Sequence, residues 1–155
     1  MQHTTTRPPL PGRIDDYAYF FDFDGTLVEI APRPDQVRLE AQTRQSLASL
    51  KSRVGAAVAI VTGREISVID TLLSPLHLPV AGVHGLMRRD ANGRMHEVPP
   101  ADRDLGQAAD MVDRLAGRHD GLLVERKSRA VALHFRARPD CAPLCHDIMR
   151  QVVET

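Results

Sequence analysis

Two carboxylates stand two residues apart in Asp22-Phe23-Asp24-Gly25-Thr26, directly after an aromatic-rich apolar run. On extended backbone, residues i and i+2 point to the same side. Crowding two carboxylates is costly unless a cation sits between them or one takes up a proton. A divalent ion meets that need, and hard oxygen donors suit Mg²⁺. So arranged, Asp22 can attack phosphorus and form an aspartyl-phosphate. Asp24 can protonate the leaving alkoxide and later deprotonate the attacking water. Gly25 permits a tight turn beside the phosphate, and Thr26 can cap the following segment. An isolated Asp-Gly is often only a strand-ending Asx-turn, but a whole D-x-D-G-T after an apolar strand is far more specific.

Three further groups of residues can share that chemistry. Thr62-Gly63-Arg64 follows a second apolar run. The Thr62 hydroxyl can donate to a phosphoryl oxygen, and Gly63 lets the backbone N–H approach it. The following helix offers its N-terminus to an anion, and Arg64 can pair with phosphate or sugar oxygens. The same three residues also read as a plain N-cap arrangement. His84-Gly85 ends a third run, and an imidazole there can bond sugar hydroxyls or serve the structure alone. Finally, strand alternation puts Glu125 and Lys127 on one face with Leu123. It puts His134 and Arg136 on one face opposite Val131, Leu133 and Phe135. Such a face can contact the many hydroxyls of a sugar, or it can be an ordinary solvated sheet surface.

These residues need a scaffold that brings them to one place, and the chain is patterned for one. Strands are expected over 17–23, 56–61 and 78–83, the first two buried, with helices over 39–53 and 65–73 between them. The helix at 39–53 carries a stripe of Thr43, Leu47 and Leu50, and the next carries Ile66, Ile69 and Leu73. The β-α-β-α-β order implies parallel strands, with the three motifs at their C-terminal ends, where open α/β sheets bind ligands. Asn92-Gly93 marks a hairpin between 86–90 and 94–98. After Pro99-Pro100, a helix is expected over 101–118 with Leu105, Ala108, Val112 and Leu115 inward. Strands over 122–126 and 130–136 and a helix over 140–153 follow. The second half is thus α-β-β-α.

Composition narrows the setting. Hydrophobic residues make up 43% of the 155, so a buried core is feasible. Lys+Arg and Asp+Glu both number 20, which gives no pull toward nucleic acid or an anionic membrane. Residues 1–15 read as a flexible lead-in without an apolar leader core, and no apolar run reaches membrane-spanning length. The expectation is a cytoplasmic protein with reduced thiols. Cys141 and Cys145 read as ordinary thiols, since no His/Cys cluster completes a metal site beside them.

Asp22-Phe23-Asp24-Gly25-Thr26 resembles the first motif of the haloacid dehalogenase (HAD) superfamily of phosphatases, and Thr62-Gly63 resembles the second. The resemblance implies Asp22 as nucleophile and Asp24 as acid/base. It also implies a metal held by the Asp22 carboxylate and the Asp24 main-chain carbonyl. Gly25, Thr26, Thr62 and Gly63 would hold phosphate. Gly82-Val83-His84-Gly85 and the run 28–35 resemble the trehalose-phosphate phosphatases. Glu125-Arg126-Lys127 and His134-Phe135-Arg136 resemble that family's sugar-recognising cap residues. With Arg64, His84 and Gly85 they form the expected substrate-binding set. The implied fold is α/β, a HAD-like Rossmannoid parallel-sheet core with an inserted α+β cap. Residues 16–98 would be the N-terminal part of the core and 99–155 part of the cap. The implied reaction is Mg²⁺-dependent hydrolysis of trehalose 6-phosphate. The family's further cap strands, phosphate-neutralising lysine and second acidic pair are not found in these residues, so a truncated chain with an incomplete metal site is expected. Two other readings stay open, namely another capped HAD sugar-phosphate phosphatase and a non-catalytic fragment that keeps its sugar contacts.

Overall fold

The computed structural model describes residues 14–55, 57–99 and 105–154. Most of the expected lead-in, Ala56 at the start of the second strand, Pro100 of the linker and the first turn expected of the 101–118 helix lie outside these residues.

The chain builds two sheets. The larger has five strands in the order β1-β2-β3-β4-β5. Strands β1 (Tyr19–Asp22), β2 (Val58–Val61) and β3 (Val80–Gly82) run parallel. The helices α1 (Ala41–Val54) and α2 (Ile66–Leu73) supply the crossovers. Parallel strands need such crossovers because a tight turn cannot return the chain in the same direction. The hairpin β4 (Met87–Arg89) and β5 (Met95–Glu97) then adds antiparallel strands against β3. Its turn is tied by the Asp90 carboxylate, which accepts from the N–H groups of Asn92 and Arg94.

The core follows the helix stripes. Leu47 of α1 and Ile66, Ile69 and Leu73 of α2 are buried against Val58, Ile60 and Val80. Phe23, fully buried just past β1, anchors the turn that carries both aspartates. Burial of a side chain of this size stabilises the fold by about 2–3 kcal/mol.

The expectation that β1 and β2 are buried strands is corrected on one face. Burial alternates along both, and Phe20 is 71% and Val61 42% exposed. The buried members Val58 and Ile60 lie on the face covered by the helices. Among the described residues nothing comparable covers the face that carries Phe20 and Val61.

The smaller sheet pairs β6 (Leu123–Arg126) with β7 (Val131–His134), antiparallel. The helices α3 (Leu105–Ala116) and α4 (Ala142–Glu154) pack together, and α3 contacts both strands. The stripe expected on α3 is shifted by one position. Ala109, Val112 and Ala116 are buried, Ala108 and Leu115 are half-buried, and Leu105 is exposed. Small alanines at the deepest positions let α3 approach its neighbours closely, which leaves the leucines at the flank of the contact. Arg126 points to the helix side and bonds Asp110 and Asp113 of α3. Glu125 is therefore left on the opposite face.

Candidate active site

Asp22 is the last residue of β1, and the chain turns at once. Gly25 adopts φ +86°, a left-handed conformation that suits glycine. Its N–H bonds the Val28 carbonyl, while Leu27 and Val28 both donate to the Phe23 carbonyl. The turn aims Asp22 and Asp24 into a cleft of about 440 Å³ between the two sheets. Thr26 stays beside it, its hydroxyl 3.4 Å from Asp22 Oδ2.

Thr62 directly follows the neighbouring strand β2 and is 4% exposed. Its hydroxyl accepts the Arg64 N–H at 3.1 Å, so it caps the loop leading to α2. Gly63 lines the cleft. A side chain there would collide with His84, since a Cβ would fall 2.5 Å from the ring carbon Cε1. The absence of a side chain at Gly63 is thus what seats the imidazole.

His84 is held by strained backbone. Val83 has φ +48° and His84 φ +55°. For a β-branched residue such as valine this is a true outlier, costing roughly 1–3 kcal/mol. The strain is opposed by the Val83 side chain, fully buried in the core. Two main-chain bonds also oppose it, from Val83 N to Arg64 O at 2.9 Å and from His84 N to Thr62 O at 3.1 Å. Nothing in residue type signals this turn, because valine is normally a strand residue.

Arg64 has a partner that its sequence position did not reveal. Its Nε donates to Asp24 Oδ2 at 2.8 Å, its Nη2 to Asp24 Oδ1 at 2.8 Å, and its Nη1 to the Pro34 carbonyl at 2.9 Å. The guanidinium that was expected on substrate is therefore first a clamp on Asp24, with its edge still in the cleft wall.

The smaller sheet closes the other side. Glu125 pairs in register with Ala132, and His134 with Leu123, so Glu125 and His134 are diagonal neighbours on the cleft face. His134 Nε2 lies 2.7 Å from Glu125 Oε2. Lys127 lies 3.6 Å from the same oxygen, and its ammonium donates to the Gly63 carbonyl at 2.7 Å. Arg136 donates to the Ala31 carbonyl at 2.6 Å. Thus Asp22, Asp24, Gly63, Arg64 and His84 from the larger sheet meet Glu125, Lys127, His134 and Arg136 from the smaller one. Gly25, Thr26, Thr62 and Gly85 do not line the cleft.

The run 28–35 stood out in the sequence only by its family resemblance, with no chemistry assigned to it, yet the segment 30–37 supplies Ile30, Ala31, Pro32, Pro34 and Val37 to the wall. It reaches the site through its main chain, as the acceptor for Arg64 and Arg136. Carbonyls are common to every residue, so residue types could not show that part.

Charges in the cleft pair off unevenly. Arg64 neutralises Asp24, and Lys127 stands beside Glu125. Among the described residues Asp22 has no ion pair. The donor set suits a hard divalent cation only in part. The Asp22 carboxylate is exposed, whereas the Asp24 carboxylate is taken by Arg64 and leaves its main-chain oxygen for a metal. No group of three His, Cys, Asp or Glu able to hold a metal occurs among the described residues. None of their helices is long and apolar enough to cross a membrane.

The family model described as trehalose-phosphatase matches residues 20–154. The chain is 40% identical over 127 residues to a probable trehalose-phosphate phosphatase of Sinorhizobium fredii, covering 82% of this chain and 48% of that protein. It is 40% identical over 123 residues to the trehalose-6-phosphate phosphatase of Escherichia coli K12, covering 79% of this chain and 46% of that one. The chain spans about half the length of these curated relatives. Among solved structures, a trehalose-6-phosphate phosphatase related protein superposes with a TM-score of 0.71 at 27% identity, covering 88% of this chain and 59% of that one. The C-terminal domain of the Candida albicans trehalose-6-phosphate phosphatase gives 0.75 at 21% identity, covering 92% and 52%, and supports the fold alone. The architecture is the expected α/β one.

Proposed function

The chain belongs to the trehalose-phosphatase family, and from that premise we propose that it carries the nucleophile and sugar-contacting face of an enzyme that hydrolyses trehalose 6-phosphate. The observation that carries the reading is the single cleft shared by Asp22 and Asp24 on one side and Glu125, Lys127, His134 and Arg136 on the other. A phosphoryl group at Asp22 leaves its sugar within reach of the second sheet.

Asp22 attacks phosphorus as the bond to the sugar oxygen breaks, giving an aspartyl-phosphate and an alkoxide. Asp24 delivers a proton to that alkoxide. It then takes one from the water that releases phosphate and restores the Asp22 carboxylate. Arg64 sets the place of Asp24 through its two bonds to the carboxylate. His84, seated on Gly63, and the Glu125–His134 pair offer donors and acceptors to sugar hydroxyls. Closure of the second sheet over a bound substrate would exclude water from the reacting atoms. Magnesium, when bound by the Asp22 carboxylate and the Asp24 main-chain oxygen, would offset charge between nucleophile and phosphoryl oxygens. The domain reading assigns 16–98 to the core and 99–155 to the cap, with the cytoplasm as the setting.

The test is phosphate release from a panel of sugar phosphates with and without Mg²⁺. Selective, Mg²⁺-dependent turnover of trehalose 6-phosphate is expected of an enzyme in which this cleft is joined by the family's second acidic pair, and little turnover of these 155 residues alone. Equal turnover of sucrose or mannose phosphates would favour a broader sugar-phosphate phosphatase. Binding without release would favour a non-catalytic module.

A further inference from the structure

Glu65 occupies the N-cap position of α2, yet its side chain makes no capping bond. Glutamate is not among the residues favoured there. Its carboxylate instead reaches across the cleft mouth to the turn between β6 and β7. Oε1 accepts the Ser128 N–H at 2.6 Å and Oε2 accepts the Ser128 hydroxyl at 3.1 Å. Both carboxylate oxygens are thus engaged by one residue of the other unit. The residue before Ser128 is Lys127, whose ammonium is on the Gly63 carbonyl, two positions before Glu65. One short loop of the core therefore grips one short turn of the cap at two points.

We propose that Glu65 is a positioning residue that clasps the Ser128 turn and so sets the closed cleft in which Lys127 and Glu125 face Asp22. The inference rests on the reading of this cleft as a sugar-phosphate site. The physical argument is directional. A carboxylate facing both the N–H and the hydroxyl of one residue fixes distance and orientation. The other cross-cleft contacts are single bonds to a carbonyl, as for Arg136 and Ala31, an exposed pair, as for Arg129 and Glu97, or the weak acceptor Met87 Sδ, which lies 3.1 Å from the same Ser128 hydroxyl and competes for its proton. Closing this turn pulls β6 toward Gly63, and with it the face carrying Glu125.

The experiment compares the full chain with its Glu65→Ala and Glu65→Gln variants by residue-resolved hydrogen exchange and by kinetics. In Glu65→Ala, the Ser128 amide should exchange about tenfold faster or more. So should the non-proline amides of 30–37, a segment that meets the cap through Arg136 and touches the core beside Glu65 only through the bond from Arg64 to the Pro34 carbonyl. Glu65→Gln, which keeps an acceptor on a side chain of equal length, should fall between. The kcat/KM for trehalose 6-phosphate should drop about tenfold, with turnover of a small aryl phosphate retained. Faster exchange confined to Ser128, with 30–37 unchanged, would overturn the proposal, and so would equal loss on both substrates. If the parent chain fails on trehalose 6-phosphate, the functional reading fails by itself, and the exchange data still decide whether Glu65 controls closure.

Discussion

Arg64 holds both oxygens of the Asp24 carboxylate, with Nε 2.8 Å from Oδ2 and Nη2 2.8 Å from Oδ1. The guanidinium is only 12% exposed and is itself anchored on the Pro34 carbonyl. A planar fork seats a carboxylate in one orientation, which a lysine cannot do. Arg64→Lys should therefore keep the charge but loosen Asp24. Positioned proton transfer contributes about 10²–10⁴-fold to a rate, and losing the orientation should lower kcat at least about tenfold. Steady-state kinetics on trehalose 6-phosphate provide the check. An unchanged kcat would mean that Arg64 does not position Asp24.

Asp22 is exposed, has no ion pair among the described residues and meets the Thr26 hydroxyl at a long 3.4 Å, a contact that an amide oxygen can also accept, so the fold leans little on its charge. Asp22→Asn should abolish turnover, by about 10³-fold or more, while the thermal midpoint stays within about 2 °C. Phosphate release and circular dichroism on one sample separate the two effects. More than a trace of activity would remove Asp22 from the nucleophile's role.

Much of this site was legible because its residues sit at the ends of strongly patterned strands. The period-2 pattern of the second sheet put Glu125, Lys127, His134 and Arg136 on one face, and the register confirms that arrangement for Glu125 and His134. What stayed hidden depends on main chain and on tertiary approach. The Val83–His84 turn defies residue preference. The part played by Ala31 and Pro34 is carried by carbonyls, which every residue has. The Arg64–Asp24 clamp joins positions 40 apart. The exposed Phe20 face eluded the reading for another reason: an apolar strand looks the same whether one face or both are covered.

Gly63 offers a prediction in which activity and stability part company. A methyl group there would stand 2.5 Å from His84 Cε1 and 2.6 Å from Nε2. The imidazole is an exposed side-chain end and can rotate away. Gly63→Ala should therefore cost little stability, within about 1 kcal/mol, but expel His84 from the cleft. The KM for trehalose 6-phosphate should rise about tenfold, the same direction as for His84→Ala, and the double variant should add nothing further. Full additivity of the two changes would show that they act separately.

The pair Asp70–Arg89 makes a stability prediction outside the cleft. Arg89 on β4 bonds both oxygens of Asp70 on α2, at 2.6 and 2.7 Å, and also donates to the Leu78 carbonyl at 3.0 Å. Hydrogen bonding to the Arg89 guanidinium holds the Asp70 carboxyl below its ordinary value of 3.8. A carboxyl whose value is lowered by folding contributes stability above its unfolded value and loses that contribution as pH falls through the folded one. The contribution should be complete at neutral pH and fade below about pH 4. Asp70→Asn should destabilise the protein by about 1–2 kcal/mol at pH 7. The gap should shrink as the pH is lowered toward 3, because the parent's own carboxyl begins to protonate there. Urea midpoints for parent and variant at pH 7, 5 and 3 test this, and a gap that stays constant down to pH 3 would show that the Asp70 charge does not support the fold.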